Sequence, residues 1–262
     1  MHSVKSNSFT SVAGHQTTWP HKRRVAACAL IILLSSCGGR NTQTSDGKSQ
    51  PYEANVVVPE TPAPLQPAGK AFEYNFDSDT ADQTPAEFHS GLTGQGARAE
   101  WLVKPDPTAP SSPNVLAQVS ADRTDYRFPL AIADDGSFQD LEMSAKFKAM
   151  SGQIDKAAGL VFRLKDANNY YIVRANALEN NYRLYRVVNG KREQIAGANV
   201  QVSSGEWHEL GIVCSGNSIT CYFDGETKIE ATDDTFGEAG KVGLWTKADS
   251  VTFFDDLKVT AR

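Results

Sequence analysis

Long apolar runs are missing from this 262-residue chain; the longest extends only from Val25 to Ser36, whereas a bilayer-crossing helix needs about 20 residues. Basic residues do not dominate. Lys and Arg number 26 against 31 Asp and Glu, a net charge of −5, so the electrostatic footprint of a nucleic-acid binder is absent. Only 4 cysteines are present, and with Cys28 and Cys37 in the leading segment just Cys214 and Cys221 remain, too few for a metal site of their own. No helical period of any length recurs, and without crossover helices a parallel α/β fold is excluded. A Gly-x-Ser-x-Gly elbow is also absent, which removes the α/β-hydrolase mechanism. Against these absences, 40% of the residues are apolar, enough to build a core and to exclude general disorder.

The first stretch reads as an address. His21-Lys22-Arg23-Arg24 precedes the apolar run, and Leu34-Ser35-Ser36-Cys37 follows; a charged segment, a short apolar segment and small residues before a cut describe a secretory signal over 1–36. The four letters ending at Cys37 resemble a bacterial lipobox, which implies acylation of Cys37 and a lipid anchor in the cell envelope, with Gly38 pointing to the outer membrane in a two-membrane host. The alternative is an ordinary signal peptide with an incidental cysteine. Cleavage removes Lys5, Lys22, Arg23 and Arg24 and no acid, leaving 22 basic against 31 acidic groups, a net −9. Such a surface is repelled by anionic headgroups, so membrane attachment falls to the lipid alone.

Residues 37–70 are rich in Gly, Ser and Pro, ending in Pro59-Glu-Thr-Pro-Ala-Pro-Leu-Gln-Pro67, and read as an extended tether. From Ala71 to Arg262 the pattern switches to short alternating strands: Ala71–Phe76, Leu141–Phe147, Gly159–Leu164, Asn169–Ala175, Tyr182–Val188, Glu206–Val213, Ile219–Phe223, Lys228–Ala231, Gly240–Trp245 and Ser250–Val259. Turns such as Asn189-Gly190 and Asp224-Gly225 separate them. The expectation is an all-β, two-sheet antiparallel sandwich over 71–262. Gly94-Gln-Gly-Ala-Arg-Ala99 has loose dinucleotide-binding spacing, but without a preceding strand and a following helix it reads as a glycine-rich loop.

Cys214 and Cys221 lie in one hairpin. A turn centred on Asn217-Ser218 would set them opposite each other and permit a disulfide in an exported protein; the alternative is two buried thiols on neighbouring strands. Asp77, Asp79, Asp255 and Asp256 offer hard oxygen ligands near the first and last strands, where the options are a structural Ca²⁺ or solvated carboxylates. No other cofactor is expected.

Trp207-His208, Tyr222-Phe-Asp-Gly225, Gly240-Lys-Val-Gly-Leu-Trp245 and Phe254-Asp-Asp-Leu-Lys-Val259 resemble a concanavalin A-like or laminin-G-like jelly roll, the lectin/glucanase fold. Within it the chain is similar to the 3-keto-disaccharide hydrolase domain family, related to family 16 glycosidases. The resemblance implies a curved sandwich whose concave face meets carbohydrate. Family 16 catalysis would need Glu-x-Asp-x-x-Glu on one strand, and none of the 13 glutamates has Asp two residues later.

A polar and aromatic set on adjoining strands is the candidate carbohydrate-binding surface: Arg163, Tyr171, Arg174, Asn176, Asn181, Arg183, Tyr185, Trp245, Lys247 and Asp249. Residues two apart, as in Arg174-x-Asn176 and Trp245-x-Lys247-x-Asp249, would share a sheet face. Planar polar groups beside an aromatic ring suit vicinal hydroxyls and the C–H face of a sugar; the other reading is a solvated face with cross-strand ion pairs. Three functions follow: a non-catalytic binder of poly- or oligosaccharide, an enzyme on 3-keto-glycosides using Glu179, Asp249 or His208, or a structural envelope lipoprotein binding protein or peptidoglycan. A 3-keto group acidifies the neighbouring C–H, so one base and one electrophile would suffice for the second. The Asn-Ser-Gly segment associated with the hydrolase family is replaced here by Ala157-Ala-Gly159.

Overall fold

The structure, a computed structural model, describes residues 71–262. The signal segment 1–36, Cys37 and the tether to residue 70 lie outside the described residues. Fifteen strands and no α-helix make up the described chain, in two sheets paired antiparallel throughout.

The eight-stranded sheet runs β13 (Glu226–Thr232), β12 (Ser218–Phe223), β11 (Trp207–Ser215), β6 (Leu141–Ser151), β15 (Val251–Ala261), β4 (Asn114–Gln118) and β3 (Trp101–Pro105), with β1 (Phe72–Tyr74) also on β15. The seven-stranded sheet runs β10 (Lys191–Asn199), β9 (Asn181–Val188), β8 (Asn169–Asn176), β7 (Ala157–Asp166), β14 (Lys241–Trp245), β5 (Arg127–Ala133) and β2 (Phe88–Gly94). Strands distant in sequence lie side by side in both, as in a jelly roll. The strands read from alternation are present; β2 to β5 and β10 are additional: β3 to β5 are short or almost uniformly buried, and β2 and β10 mix polar residues with glycine and carry no clear period.

Alternation makes the core. In β6 Leu141, Met143, Ala145 and Phe147 are buried while Glu142 is exposed and Lys146 half-buried. They meet Leu160, Phe162, Val173, Leu184 and Leu244 of the other sheet in one apolar cluster. Each such side chain contributes about 1.5–3 kcal/mol by leaving water, and truncating one, Leu244→Ala for example, costs about 2–5 kcal/mol.

The outer face of the seven-stranded sheet departs from the usual pattern of one apolar and one solvated face. Seven of the eight residues of β8 are buried. Tyr170 and Ile172, which point away from the main core, join Phe128, Leu130, Val161, Val187 and Trp245 in a second cluster. The Arg192 guanidinium from β10 caps it, 4.5 Å from the Tyr185 ring centre, 4.8 Å from Phe128 and 5.7 Å from Trp245.

The disulfide expectation is corrected here. The β11–β12 hairpin turns at Gly216-Asn217, with Ser215 opposite Ser218, so Cys214 faces Ile219 and Cys221 faces Ile212. The cysteines are diagonal neighbours, and both are free, buried thiols in the main core.

Candidate functional site

One row of residues crosses the outer face of the seven-stranded sheet. Gly197 on β10 is opposite Arg183 on β9, Arg183 is opposite Arg174 on β8, Arg174 is opposite Gly159 on β7, and Gly159 is opposite Trp245 on β14. Gly197 makes room for Arg183, and Gly159 for the Ile172 side chain (2.5 Å from a Cβ placed there), the Val173 carbonyl and Arg174. A Cβ at 197 would come within 2.3 Å of Arg183 Cδ, and one at 159 within 3.2 Å of Arg174 Cβ and 2.9 Å of the Val173 carbonyl oxygen. Two like charges directly opposite repel, so each guanidinium is held by acceptors of its own. Arg183 donates to the Ala198 carbonyl at 2.6 Å and to Asn199 Oδ1 at 3.0 Å.

Arg174 is the centre of the cluster. It donates to Asn181 Oδ1 at 2.6 Å, Glu179 Oε2 at 2.9 Å and the Tyr185 hydroxyl at 3.2 Å. The residue is only 4% exposed, whereas about half of the Glu179 side chain is open to solvent. Its Nε is buried and has no partner among the described residues. Burial alone would raise the Glu179 carboxyl, but the donors Asn181 and Arg174 outweigh it and hold the group below its ordinary range. The β8–β9 turn that presents Glu179 is built by Asn176, whose Oδ1 accepts the Leu178 N–H at 2.8 Å, and by Asn180 in the left-handed region at φ 49°, a conformation asparagine tolerates.

Beside this cluster, Asn176 Nδ2 donates to Asp155 Oδ1 at 2.8 Å, and Lys247 Nζ lies 3.0 Å from Asp155 Oδ2 and 2.7 Å from Asp125 Oδ1. Burial dominates at Asp155 and raises its carboxyl, only partly offset by Lys247. For Lys247 burial pulls down, and the two carboxylates more than restore it, so the ammonium is held above its ordinary value. The site is therefore a fixed network of guanidinium, ammonium, amide and carboxylate groups at one end of an apolar shelf.

Of the ten residues expected on this surface, Arg174, Asn176, Asn181, Tyr185 and Lys247 gather in the network, and Arg183 stands next to it. Four do not belong. Trp245 points outward but is fully buried under Arg192. Arg163 is fully buried and ties three loops together through the carbonyls of Gln139, Gly216 and Phe236. Tyr171 points into the core and bonds Asp233 Oδ1 at 2.6 Å. Asp249 accepts the backbone N–H groups of Gln153, Ile154 and Asp155 at 2.8–3.0 Å. These four are corrected to structural roles.

Glu179, Asp249 and His208, the alternative bases considered for an enzyme, belong to separate networks. His208 is on β11 of the other sheet, bonded to Asp224 Oδ2 at 2.7 Å and accepting the Ser203 N–H at Nε2. The four carboxylates considered for calcium are also dispersed in use. Asp255 accepts Ser111 N at 2.9 Å and Oγ at 3.0 Å, and Asp77 accepts Asn114 N at 3.2 Å. Among the described residues no three His, Cys, Asp or Glu side chains are grouped to hold a metal.

Sequence reasoning missed Arg192, Asp155 and Asp125. For Arg192 a signal existed: the Asn189-Gly190 turn sets Lys191 opposite Val188 and hence Arg192 opposite Val187, on the face of Tyr185. Asp155 and Asp125 come from loops, for which strand period says nothing.

Comparison with protein families matches residues 123–260 to the 3-keto-alpha-glucoside-1,2-lyase-like domain. Comparison with curated sequences returns no match. Among solved structures the carbohydrate binding module CBM66 from Bacillus subtilis is similar at 20% identity and a TM-score of 0.51, covering 65% of this chain and 94% of that one. Xylan beta-1,4-xylosidase from Bacillus halodurans C-125 is similar at 15% identity and a TM-score of 0.50, covering 78% of this chain and 41% of that one. At these identities the two structures speak to the fold, and they agree with the concanavalin A-like sandwich.

Proposed function

The chain belongs to the 3-keto-alpha-glucoside-1,2-lyase-like domain family, and on that premise we propose that it binds carbohydrate on the outer face of its seven-stranded sheet without turning it over. The observation that carries the reading is the posture of Arg174. A guanidinium 4% exposed is fixed between Asn181, Glu179 and Tyr185 while the Glu179 carboxylate stands half open at the rim. Donors and acceptors held in one geometry match vicinal hydroxyls of a sugar at little ordering cost. The same proposal has the domain exported and held in the cell envelope by acylated Cys37, with residues 38–70 as the spacer. Residues 1–37 support that part by their sequence alone.

A second reading follows from the family: an enzyme on 3-keto-glycosides. Glu179 would take the acidified proton beside the ketone and Arg174 would hold the developing enolate oxygen. The lowered Glu179 carboxyl makes a weak base, which favours binding over turnover.

Calorimetric titration of the full chain with a panel of neutral oligosaccharides tests the proposal. It expects heat of binding for the wild type and a clearly smaller heat at reduced affinity in Arg174→Ala. Equal affinity in the variant, or no binding by either protein, would sink it.

A further inference from the structure

The opposite face of the sandwich carries a second feature that the reading above does not use. On the outer surface of the eight-stranded sheet a cavity of about 510 Å³ lies beside Trp207, Lys146, Glu209 and Asp224. Strand parity puts Trp207, Glu209 and Gly211 of β11 on this face, because Leu210 and Ile212 point into the core. Lys146 pairs with Glu209 at 2.5 Å, each side chain about a third exposed. A second hollow of about 410 Å³ shares Glu209 and Gly225 with the first and continues along the strands past Gly211 to Tyr222. The two form one trough, with an indole at one end and a phenol further along.

The indole is held in place at unusual cost. Trp207 is only partly buried, yet its Nε1 donates to Thr108 Oγ1 at 3.3 Å, and the Lys148 ammonium lies 5.0 Å from its ring centre. Lys148 is itself bonded to Asp106 and Thr108, and Lys148 and Asp106 are 6% and 5% exposed. Taking both charges out of water is expensive, and an apolar pair of the same volume would stabilise a fold as well or better. What the arrangement does achieve is to lock one surface aromatic beside a cavity in a single orientation, the preorganisation that a stacking ligand rewards.

We infer that this trough is a second carbohydrate site, in which Trp207 is the stacking platform for one sugar ring of a neutral polysaccharide, with Lys146, Glu209 and Asp224 bonding its hydroxyls. Charge selects the class. Two carboxylates and one ammonium line the cavity, which disfavours anionic glycans. Apart from Trp207 and Pro110 the lining of the first hollow is polar or glycine, while the second adds Met143, Ile212 and Val213 among Glu142, Ser144 and Arg262; the hollow beside the indole suits a sugar better than the apolar anchor of a protein partner. The trough is open along the strands and fits an internal stretch of a chain. This inference stands independently of the Arg174 site.

The test is affinity electrophoresis of the full chain through gels containing soluble arabinoxylan, laminarin or glucomannan. At least one polysaccharide is expected to retard the wild type and still to retard Arg174→Ala, which keeps the trough; in the Arg174→Ala background affinity should fall about tenfold on adding Trp207→Ala and less on adding Trp207→Phe. Thr108→Ala, which frees the indole without removing it but also takes an acceptor from Lys148, is expected to weaken retardation while the protein remains folded by circular dichroism, at a lowered melting temperature. It keeps the test open if Trp207→Ala misfolds. In parallel, quenching of tryptophan fluorescence by iodide should fall when polysaccharide is added to the wild type, and this protection should vanish in Trp207→Phe. Trp101 and Trp245 are fully buried and should contribute little to the quenching, and the remaining tryptophan, Trp19, is replaced by Phe throughout this experiment. Retardation undiminished in the Trp207 and Thr108 variants, retardation lost in Arg174→Ala, or none with all three polysaccharides would each overturn the inference. A wild type that binds only protein in pull-down would do the same.

Discussion

Arg174 and Glu179 are joined at 2.9 Å, yet one side chain is 5% exposed and the other 49%. An ordinary surface pair would leave both ends in water and contribute little; on the proposed function this buried cation and its half-open carboxylate serve as an oriented recognition group. Arg174→Lys keeps the charge but loses the planar fork that reaches Asn181, Glu179 and Tyr185 together. Oligosaccharide affinity is expected to fall about tenfold in Arg174→Lys and further in Arg174→Ala, measured by calorimetry at fixed salt.

Asp249 is a structural clamp. Its carboxylate satisfies three backbone N–H groups of the loop before β7, and leaving such buried donors unpaired is costly, so Asp249→Ala should lower stability by about 3 kcal/mol in denaturant unfolding. Burial raises its carboxyl, but the N–H donors win and hold it below the ordinary value. Its contribution is therefore present above the unfolded pKa and lost as pH falls toward the folded one. The gap between wild type and variant should narrow below about pH 4.

Asp255 titrates in the opposite sense. Burial pushes its carboxyl up to about 6 despite bonds from Ser111 and Asp256. The folded state binds this proton more tightly than the unfolded one, so the contribution is complete below about pH 4 and lost as pH rises through 6. Asp255→Asn, which stays neutral, should gain on the wild type across that window. A stability difference flat from pH 4 to 7 in thermal melts would refute the assignment.

The thiols of Cys214 and Cys221 are free and buried, the first pushed up to about 11 by burial and the second further. Dithiothreitol should leave the melting temperature unchanged, and thiol reagents should label both cysteines only after unfolding.

The sandwich was legible because β6, β8, β9, β11 and β15 bury every second residue toward one core, and period 2 reads directly as a sheet. The hairpin register was not: a shift of two residues moved Cys221 from opposite Cys214 to opposite Ile212, and both registers keep the same residues inside. On the candidate site, parity placed Arg174 and Asn176 on one face but did not reveal that this face has an apolar layer of its own. Trp245 therefore read as an open sugar platform when it is covered by Arg192. Burial on the second face depends on what packs over it, which no single strand encodes.

The most direct test of the central claim is saturation-transfer NMR on the full chain with a mixture of oligosaccharides that includes 3-keto-disaccharides, followed over hours for Trp207→Ala, which disables the trough on the opposite face, and for the same variant carrying Arg174→Ala. The account predicts transfer to sugar protons in the first, its loss in the second, and no new sugar resonances with time. New resonances that grow would make the protein an enzyme, and transfer that survives in the double variant would remove the site from this face.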